Sequence, residues 1–214
     1  MNGPCRCAWV NLRNPLYVEY HDREWGRRPA DDQALYERFI LETFQAGLSW
    51  ECVLNRRAAI KAAFDGFDAA RIAAYGEADL ARLMATDGII RNRAKLGAVV
   101  ANTRAIASIR AAFGSFGAYV ESFAGKDPVV EPYTERTTSP VSDALSADMR
   151  RRGMKFVGST TVYAFLQAAG FIDGHGPECR FGSASRATSR TGAMLRDRGC
   201  PCVKKIKEEE RKTE

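Results

Sequence analysis

A single charged residue, a glutamate, inside a stretch that otherwise has the pattern of a core helix is the feature that most constrains this chain. The stretch is residues 39–50, FILETFQAGLSW. Asp31 or Asp32 can cap a helix that runs to Gly47, because acidic residues favour helix starts and glycine favours helix ends. Four residues at helical spacing share one face of that helix: Leu35, Phe39, Glu42 and Ala46. The pattern predicts that Glu42 faces the protein interior or a cavity.

A buried carboxylate needs a partner, because an unpaired one is costly and tends to take up a proton instead. The neighbouring sequence supplies none, since Glu37 and Arg38 are predicted to point away from the Glu42 face. A backbone amide or an arginine from elsewhere in the fold would satisfy Glu42. A ligand would also satisfy it, and Trp50, just past the helix end, is placed to form a pocket wall beside the carboxylate.

Helical periodicity covers most of the chain, and no segment convincingly predicts a strand, which indicates an all-α fold. Further helices are predicted over 49–64, in two short pieces that begin at 68 and 77, over 91–113 and over 116–123, followed by a loop at 125–141. The long helix 91–113 is expected to bury Leu96, Val99 and Ile106 and to expose Lys95.

The composition predicts one domain and a tail. We place the domain at residues 1–180, and residues 181–214, rich in Gly, Ser, Arg and Lys, are predicted to be a basic, disordered tail. The net charge is +6, of which +5 lies in residues 180–214. The nearly neutral body excludes nucleic-acid binding through a general positive field. It leaves binding through a local basic patch and helix N-termini.

The sequence predicts a cytoplasmic protein. It has no apolar run of about 18 residues that could span a membrane, and residues 1–5 lack the apolar core of a secretory signal. Thiols should then be reduced, so that a Cys/His grouping indicates a metal or catalysis before a disulfide.

Two histidines each have a cysteine within reach in the sequence. Cys7 lies fourteen residues before His21, and Cys179 lies four residues after His175. Two Cys and two His match a filled tetrahedral zinc site, which would be structural and would join the two ends of the domain. Cys5 remains an alternative to Cys7, and ordinary buried thiols beside a core histidine remain an alternative to a metal.

Aromatic residues are concentrated in residues 15–26, PLYVEYHDREWG. The segment shows no long period and is predicted to be a packed, irregular stretch that lines a site. The alternative is that Tyr17, Tyr20 and Trp25 plug the edge of the core.

A helix pair near the C-terminal end is more specific. Ser142 can cap a helix over 143–152, which a short glycine-containing hairpin joins to a second helix over 160–169. A helix N-terminus of this kind suits a DNA phosphate, because backbone N–H groups and the helix dipole point at the anion. The predicted backbone contacts are Lys155, Gly158, Ser159 and Thr160, with Arg150 to Arg152 adding charge.

Several blocks together resemble one known family. In chain order they are PLYVEYHDREWG, LETFQAGLSW, GIIRNRAK, SDAL, RRGMKFVGSTT and YAFLQAAG, followed by His175 and Cys179. They resemble the 3-methyladenine DNA glycosylase I family of bacterial base-excision repair, and the match covers about Cys7 to Cys179. The resemblance implies an all-α helix-hairpin-helix DNA glycosylase fold with a structural Zn²⁺ held by Cys7, His21, His175 and Cys179.

The resemblance also implies an activity. The enzyme would flip 3-methyladenine out of alkylated double-stranded DNA and hydrolyse its N-glycosidic bond. Glu42 would be the catalytic, hydrogen-bonding carboxylate, Tyr20 and Trp50 would stack on the base, and Tyr17 would lie close by. The methylated base is cationic, so a carboxylate and aromatic faces attract it. No lysine adjoins Glu42 in sequence, so we expect a monofunctional enzyme without strand cleavage. We also expect the protein to be a monomer.

Two other functions compete with this one. A noncatalytic, zinc-containing DNA-binding module would keep the metal ligands and the hairpin, but it gives no reason to bury Glu42 among aromatic residues. A bifunctional or adenine-mismatch glycosylase of the same fold would need a catalytic lysine in the hairpin or four closely spaced cysteines for an iron–sulfur cluster. The sequence offers only Lys155 and no such run of cysteines.

Overall fold

Helices make up most of the described part of the chain. The structure, a computed structural model, describes residues 4–131 and 136–182. The helices within these ranges are α1 (Pro15–Arg23), α2 (Asp32–Gln45), α3 (Trp50–Leu54), α4 (Arg57–Ala63), α5 (Ala69–Ala73), α6 (Glu77–Ala85), α7 (Arg93–Phe113), α8 (Phe116–Ala124), α9 (Pro140–Arg151) and α10 (Ser159–Ala168). A 3₁₀ turn at Asp65–Phe67 connects α4 to α5.

α2 is the central helix. It contacts α3, α7, α8 and α10, and every residue from Leu35 to Phe44 except Arg38 is buried. The predicted bounds are confirmed: the Asp31 side chain accepts from the Ala34 N–H at 2.7 Å, and Gly47 follows the helix end with a φ of +74°. A helix that is buried all round lies in the core of a domain, not on its surface.

Glu37 is buried although it was predicted to point away from the Glu42 face. Its buried carboxylate accepts from the Arg57 guanidinium at 3.1 Å and from the Lys61 ammonium at 2.8 Å. Both cations come from α4, far along the chain, and they compensate the cost of burying the charge. Arg57 also donates to Glu24 at 2.7 Å, which ties the end of α1 to α4.

Residues 15–26, predicted to be irregular, contain α1. Asn14 caps this helix through the Leu16 N–H, and Pro15 occupies its first turn, both of which favour a helix start. Tyr17 and Tyr20 therefore lie on one face, three residues apart. The density of aromatic residues hides the helical period in the sequence.

The predicted helix over 49–64 consists of two helices, α3 and α4. The break follows Leu54, where the Asn55 side chain accepts from the Asn14 amide at 3.0 Å. Asparagine is a weak helix former, and this contact with the cap of α1 uses its side chain outside the helix.

α7 confirms the long helix, and Leu96, Val99 and Ile106 are fully buried as predicted. Lys95, predicted to be exposed, is only 6% exposed. Its ammonium donates to the carbonyl oxygens of Phe44 at 2.7 Å and of Ala46 at 2.6 Å. The last carbonyls of α2 have no partner within their own helix, so the lysine satisfies them.

One short parallel strand pair departs from the predicted all-α fold. β1 (Val129–Val130) pairs with β2 (Ile172–Asp173), with Val129 opposite Ile172 and Val130 opposite Asp173. β1 lies within the predicted loop 125–141. The pair holds the chain beyond α10 in an extended path, and Asp173 then accepts from the His175 N–H at 3.1 Å.

α9 begins three residues earlier than predicted. Ser139, not Ser142, is its cap, and the two residues hydrogen-bond reciprocally: the Ser139 N–H donates to the Ser142 hydroxyl at 2.8 Å, and the Ser142 N–H to the Ser139 hydroxyl at 3.2 Å. Pro140 at the first helical position is the signal for this start. α10 matches its prediction to within one residue, and the two helices pack against each other.

The remaining predictions concern membrane-spanning helices and the C-terminal tail. Among the helices of residues 4–131 and 136–182, none combines the length and the apolar character that a bilayer span requires. The predicted tail 181–214 lies outside the described residues except for Phe181 and Gly182.

Candidate functional site

The predicted base-binding residues meet at one cavity of about 280 Å³. α1, α2, α3 and α10 all contribute to it, together with the segment before α1. Its lining residues are Trp9, Tyr17, Tyr20, Trp25, Glu42, Gln45, Trp50, Ala164 and Gln167. Aromatic walls around a few polar groups are typical of small-molecule and base pockets.

Glu42 is the buried acid of this cavity. It is 3% exposed, and within the described part of the chain its Oε2 has no hydrogen-bond partner. Burial raises the pKa of Glu42 to about 8, although the Arg38 guanidinium acts in the opposite direction. At neutral pH the carboxyl group of the free protein is therefore mostly protonated, and a cation in the cavity would favour its ionised form.

Arg38 lies one helical turn before Glu42 on α2 and connects this helix to two other segments. Its guanidinium donates to the carbonyl oxygens of Arg27 at 2.8 Å and of Ala168 at 2.7 Å. Burial lowers the pKa of Arg38. Arg38 was predicted to point away from the Glu42 face, but a spacing of four residues makes the two side chains neighbours on one face, and the Arg38 charge acts on the pKa of Glu42.

Tyr20 and Trp50 form a single wall. Their ring centroids are 4.8 Å apart with an interplanar angle of 41°. A planar base between two rings would need a centroid separation of roughly 7 Å, two van der Waals contacts of about 3.5 Å each. In this arrangement a planar ligand would fit against the wall and not between the two rings. Trp50 Nε1 is buried and, among the described residues, has no hydrogen-bond partner.

Both tyrosines of the cavity hold their protons firmly. Burial raises the pKa of Tyr17 to about 12, with Glu51 and Glu42 adding to the effect. Burial, followed by the Glu42 charge, raises the pKa of Tyr20 well above its usual value. Each phenol is therefore a neutral hydrogen-bond donor at physiological pH.

A carboxylate outside the cavity joins α1 to α3. Glu51, next to Trp50, accepts from the side-chain amides of Asn11 at 2.9 Å and Asn14 at 2.7 Å. Asn14 caps the helix that carries the two tyrosines. These bonds therefore fix the Trp50 indole relative to Tyr20.

Three of the four predicted metal ligands, Cys7, His21 and Cys179, converge beside the cavity, and His175 lies next to them. One ligand atom from each of Cys7, His21 and Cys179 lies within 4.8 Å of the other two, and the Cys179 sulfur is 3.5 Å from His21 Nε2. The His175 ring centroid is 5.6 Å from that of His21, and its buried Nε2 has no partner among the described residues. The Cys5 thiol, the alternative ligand, lies outside this group and donates to the Arg6 carbonyl at 3.9 Å.

Two aspartates orient the histidines. Asp22 lies 2.9 Å from His21 Nδ1, and Asp173 lies 2.7 Å from His175 Nδ1. The Asp22 contact leaves His21 Nε2 facing the Cys179 sulfur, an arrangement that metal-binding histidines adopt. The Asp173 contact leaves His175 Nε2 buried and without a partner among the described residues. Neither aspartate was identified from the sequence, although Asp22 adjoins His21.

The two thiols share a proton. Their hydrogen bond, together with burial, raises the pKa of Cys7. The same hydrogen bond lowers the pKa of Cys179, and His21 lowers it further. The sulfurs of Cys7 and Cys179 and the Nε2 atom of His21 are donors that suit Zn²⁺, and His175 lies beside them.

Two tryptophans connect the metal-ligand cluster to the cavity. The Trp25 ring lies 4.5 Å from His175, and the Trp9 ring lies 5.2 Å from His21, centroid to centroid. The two indoles also contact each other at 4.8 Å. Both line the cavity, and the sequence analysis missed Trp9. Its position two residues after Cys7 was the available signal.

A second cavity of about 320 Å³ lies at the starts of α2 and α8. Two of its acidic groups have basic partners: Glu121 lies 3.7 Å from Arg28, and Asp32 accepts at 2.7 Å from Arg110, which lies outside the lining. It contains no buried carboxylate with an open oxygen. The cavity at Glu42 is therefore the candidate site.

The predicted DNA-backbone contacts lie together where α10 begins. Lys155 and Thr160 are exposed, and Gly158 is the cap of α10, with the Arg150 guanidinium 3.6 Å from the position that a Cβ there would take. The Ser159 hydroxyl already bonds Ser142, at 2.8 Å, and Asp143. The groups left for an anion are the first N–H groups of α10, which have no partner within the helix.

Sequence comparison gives a consistent result over this region. A family model described as methyladenine glycosylase matches residues 9–182. DNA-3-methyladenine glycosylase 1 of Escherichia coli K12 is 42% identical over 178 residues, which cover 81% of this chain and 95% of that protein. DNA-3-methyladenine glycosylase of Haemophilus influenzae is 39% identical, with 81% and 96% covered.

Solved structures agree. A crystal structure of 3-methyladenine DNA glycosylase I superposes with a TM-score of 0.77 at 42% identity, covering 81% of this chain and 97% of that one. The Staphylococcus aureus 3-methyladenine DNA glycosylase I gives a TM-score of 0.77 at 35% identity, with 81% and 94% covered. A single-residue variant solved in complex with 3-methyladenine also gives 0.77, at 34% identity, with 81% and 95% covered.

Replacing Glu42 with glutamine should change how stability depends on pH. Burial raises the folded-state pKa of Glu42 to about 8, so the folded protein keeps a proton that the unfolded chain releases above about pH 4.3. The free energy of unfolding of the wild type should fall by up to about 4 kcal/mol between about pH 4 and pH 8, and Glu42→Gln should remove that fall. Urea unfolding across this range measures it. Parallel pH profiles for the two proteins would contradict the raised pKa.

Proposed function

The chain belongs to the methyladenine glycosylase family, and on that premise we propose that its cavity receives 3-methyladenine flipped out of alkylated double-stranded DNA and that Glu42 recognises this base. The protein is a DNA-3-methyladenine glycosylase, an N-glycosyl hydrolase of base-excision repair. The observation that carries the role of Glu42 is its buried, unpartnered carboxylate oxygen in an aromatic cavity.

Charge gives the pocket its selectivity. A base methylated at N3 is cationic, whereas the normal bases are neutral. A cation beside Glu42 shifts the carboxyl group to its ionised form, and the resulting ion pair is strong because the site is buried. The carboxylate also accepts from the exocyclic amine, while a neutral base meets a protonated acid and gains no ion pair.

The aromatic wall supports the base. The base stacks against the Tyr20 and Trp50 wall, where its positive charge gains cation–π attraction. Tyr17 lies close by with a neutral phenol that can donate a hydrogen bond. Extruding a base from the duplex costs unpairing and unstacking, and the damaged base, which pairs less well, is extruded at lower cost.

Hydrolysis needs little acid assistance in this pocket. The C1′–N9 bond breaks, and its electron pair neutralises the positive charge of the base, which leaves as a neutral molecule. A water oxygen forms the new bond to C1′ and then loses its proton. None of the described residues that line the cavity is a lysine, so no Schiff base forms there and the enzyme is monofunctional.

We assign DNA-backbone binding to a helix-hairpin-helix formed by α9 and α10. Lys155 and Arg150 supply positive charge, and Gly158, Ser159 and Thr160 present backbone N–H groups to a phosphate. The close packing of the two helices and the position of Arg150 beside Gly158 support this assignment.

We propose that Cys7, His21, His175 and Cys179 bind a structural Zn²⁺. Support comes from the unpartnered Nε2 of His175, from the two oriented histidines and from the thiolate–thiol pair. When bound, the ion supplies a cross-link and no chemical step, because a filled four-ligand shell leaves no site for water or substrate. We further propose that the protein is a monomer, since one chain supplies both the pocket and the hairpin. We also propose that it is cytoplasmic.

Glu42→Gln should lower the release of 3-methyladenine from methylated duplex DNA about 100- to 1000-fold, because the ion pair with the cationic base is lost. Chromatography of the released bases measures it, and we expect the wild type to release no 7-methylguanine. Glu77→Gln, which changes a carboxylate that is 79% exposed on α6, should be fully active. If the folded wild-type protein releases no 3-methyladenine, the glycosylase activity is refuted and a noncatalytic DNA-binding module is favoured.

Removing one cysteine of the cluster should remove the metal and destabilise the fold. Cys179→Ala should lose about one zinc per chain and about 5 kcal/mol of unfolding free energy, the value expected for releasing a loop of this length. Elemental analysis and urea unfolding measure the two effects. Cys52→Ala, which changes a cysteine outside the cluster, should keep its zinc. Full zinc content in Cys179→Ala would refute the ligand set.

Lys155→Ala should weaken DNA binding and reduce its salt dependence. Losing one phosphate contact lowers the slope of log K against log salt concentration by about 0.9. Titration of a fluorescent duplex at several salt concentrations measures the slope. Lys126→Ala, which changes an exposed lysine outside the hairpin, is the control, and an unchanged slope for Lys155→Ala would exclude Lys155 as a phosphate contact.

A further inference from the structure

A fully buried asparagine on α7 holds the hairpin between α9 and α10 from behind. The Asn102 side-chain amide donates to the Lys155 carbonyl at 3.0 Å, and its oxygen accepts from the Lys155 N–H at 2.7 Å. Asn102 is 0% exposed. Asparagine is a weak residue for a helix interior, so helix stability does not explain its presence in the middle of α7.

The hairpin needs such support because its backbone is strained. Phe156, the residue after Lys155, has a φ of +55°, a left-handed conformation that is uncommon for a non-glycine residue. Strained residues of this kind persist when their surroundings hold them and are frequent at functional sites. Asn102 holds the residue before Phe156 through both of that residue's backbone groups.

A second buried side chain holds the residue after Phe156. The Ser146 hydroxyl on α9 donates to the Val157 carbonyl at 2.6 Å. The two supports therefore fix both neighbours of the strained residue. They come from different helices, and together they leave the Lys155 ammonium and the first N–H groups of α10 facing outward.

α7 is also attached to the pocket helix. Seven residues before Asn102, the Lys95 ammonium binds the Phe44 and Ala46 carbonyls at the end of α2, just beyond Glu42. Seven residues are two helical turns, or about 10 Å along the axis. One rigid helix thus connects the end of the Glu42 helix to the hairpin.

We infer that Asn102 is a positioning residue for DNA: through α7 it sets the hairpin at a fixed distance from the base pocket, so that a gripped phosphate and a flipped base reach their sites together. The inference rests on the proposed function, because it requires that the hairpin holds DNA and that the Glu42 cavity holds the base. The hydrogen bonds of the Asn102 amide go to Lys155 in the hairpin. Changing Asn102 should therefore affect the binding of the DNA backbone and leave the binding of the base unchanged.

Two affinities of the full chain test this role. One is for a duplex containing a tetrahydrofuran abasic-site analogue, measured by fluorescence anisotropy. The other is for free 3-methyladenine, measured by tryptophan fluorescence. Asn102→Ala and Asn102→Asp should weaken duplex binding about 10-fold, the effect of losing one well-made hydrogen-bonded support, with free-base affinity changed less than twofold. Ser146→Ala should act in the same direction.

Thr103→Val is the matched control. Thr103 is the next residue on α7, is equally buried, and hydrogen-bonds Tyr36 at 2.7 Å and not the hairpin. Its replacement should lower thermal stability without changing the ratio of the two affinities. If Asn102→Ala does not fold, Asn102→Asp and Ser146→Ala still provide the comparison.

If the wild type releases 3-methyladenine, two results would overturn this inference without overturning the proposed function. In the first, the Asn102 and Ser146 variants keep wild-type duplex affinity, as the Thr103 control does. In the second, they lose duplex and free-base affinity in parallel, as a general structural defect would require. A wild type that releases no base would overturn the proposed function and this inference with it.

Discussion

The burial of ionisable groups on α2 is the constraint on which the rest of the structure depends. Three ionisable side chains within six residues of this largely buried helix each require a compensating partner. Glu37 is neutralised by two cations from α4, and Arg38 is satisfied by main-chain carbonyls at the ends of α1 and α10. Of these three side chains, only Glu42 keeps a buried polar atom, Oε2, without a hydrogen-bond partner among the described residues. Burying a charge is costly unless it is paired. The elements around α2 supply partners for Glu37 and Arg38, and the cavity lies beside Glu42, whose Oε2 atom has no partner among the described residues.

Local signals predicted the helix that carries Glu42, and they predicted little about what surrounds it. Asp31 and Gly47 mark the two ends of α2 because caps and stops depend on residues a few positions apart. Lys95 was misplaced because its carbonyl partners lie about fifty positions earlier in the chain. Trp9 and Gln167 line the cavity from opposite ends of the sequence, and only tertiary packing brings them to it. The helical face of Tyr17 and Tyr20 was readable from Asn14 and Pro15, but the aromatic density obscured it.

The metal-ligand cluster and the pocket share a wall. Cys7 and Cys179 come from opposite ends of the described chain, yet their sulfurs meet beside a cavity that Trp9 and Trp25 also line. The spacing of Cys and His left Cys5 open as an alternative, and the family resemblance implied Cys7, His21, His175 and Cys179, of which Cys7, His21 and Cys179 come together. Neither could show that each histidine faces an indole, since ring contacts between distant segments leave no pattern in the sequence. Whatever stabilises the cluster therefore also stabilises one side of the pocket.

Under the proposed role of Glu42, its raised pKa of about 8 also affects how the pocket meets undamaged DNA. A carboxylate ionised at rest would be repelled by nearby phosphates, whereas a protonated one carries no charge. A cationic base would favour loss of the proton, so capture of the lesion would exchange one positive species for another. Once the glycosidic bond breaks and the base is neutral, the attraction would end and the acid would take a proton back. Removal of the damaged base would thus weaken the product complex and restore the pocket for the next encounter.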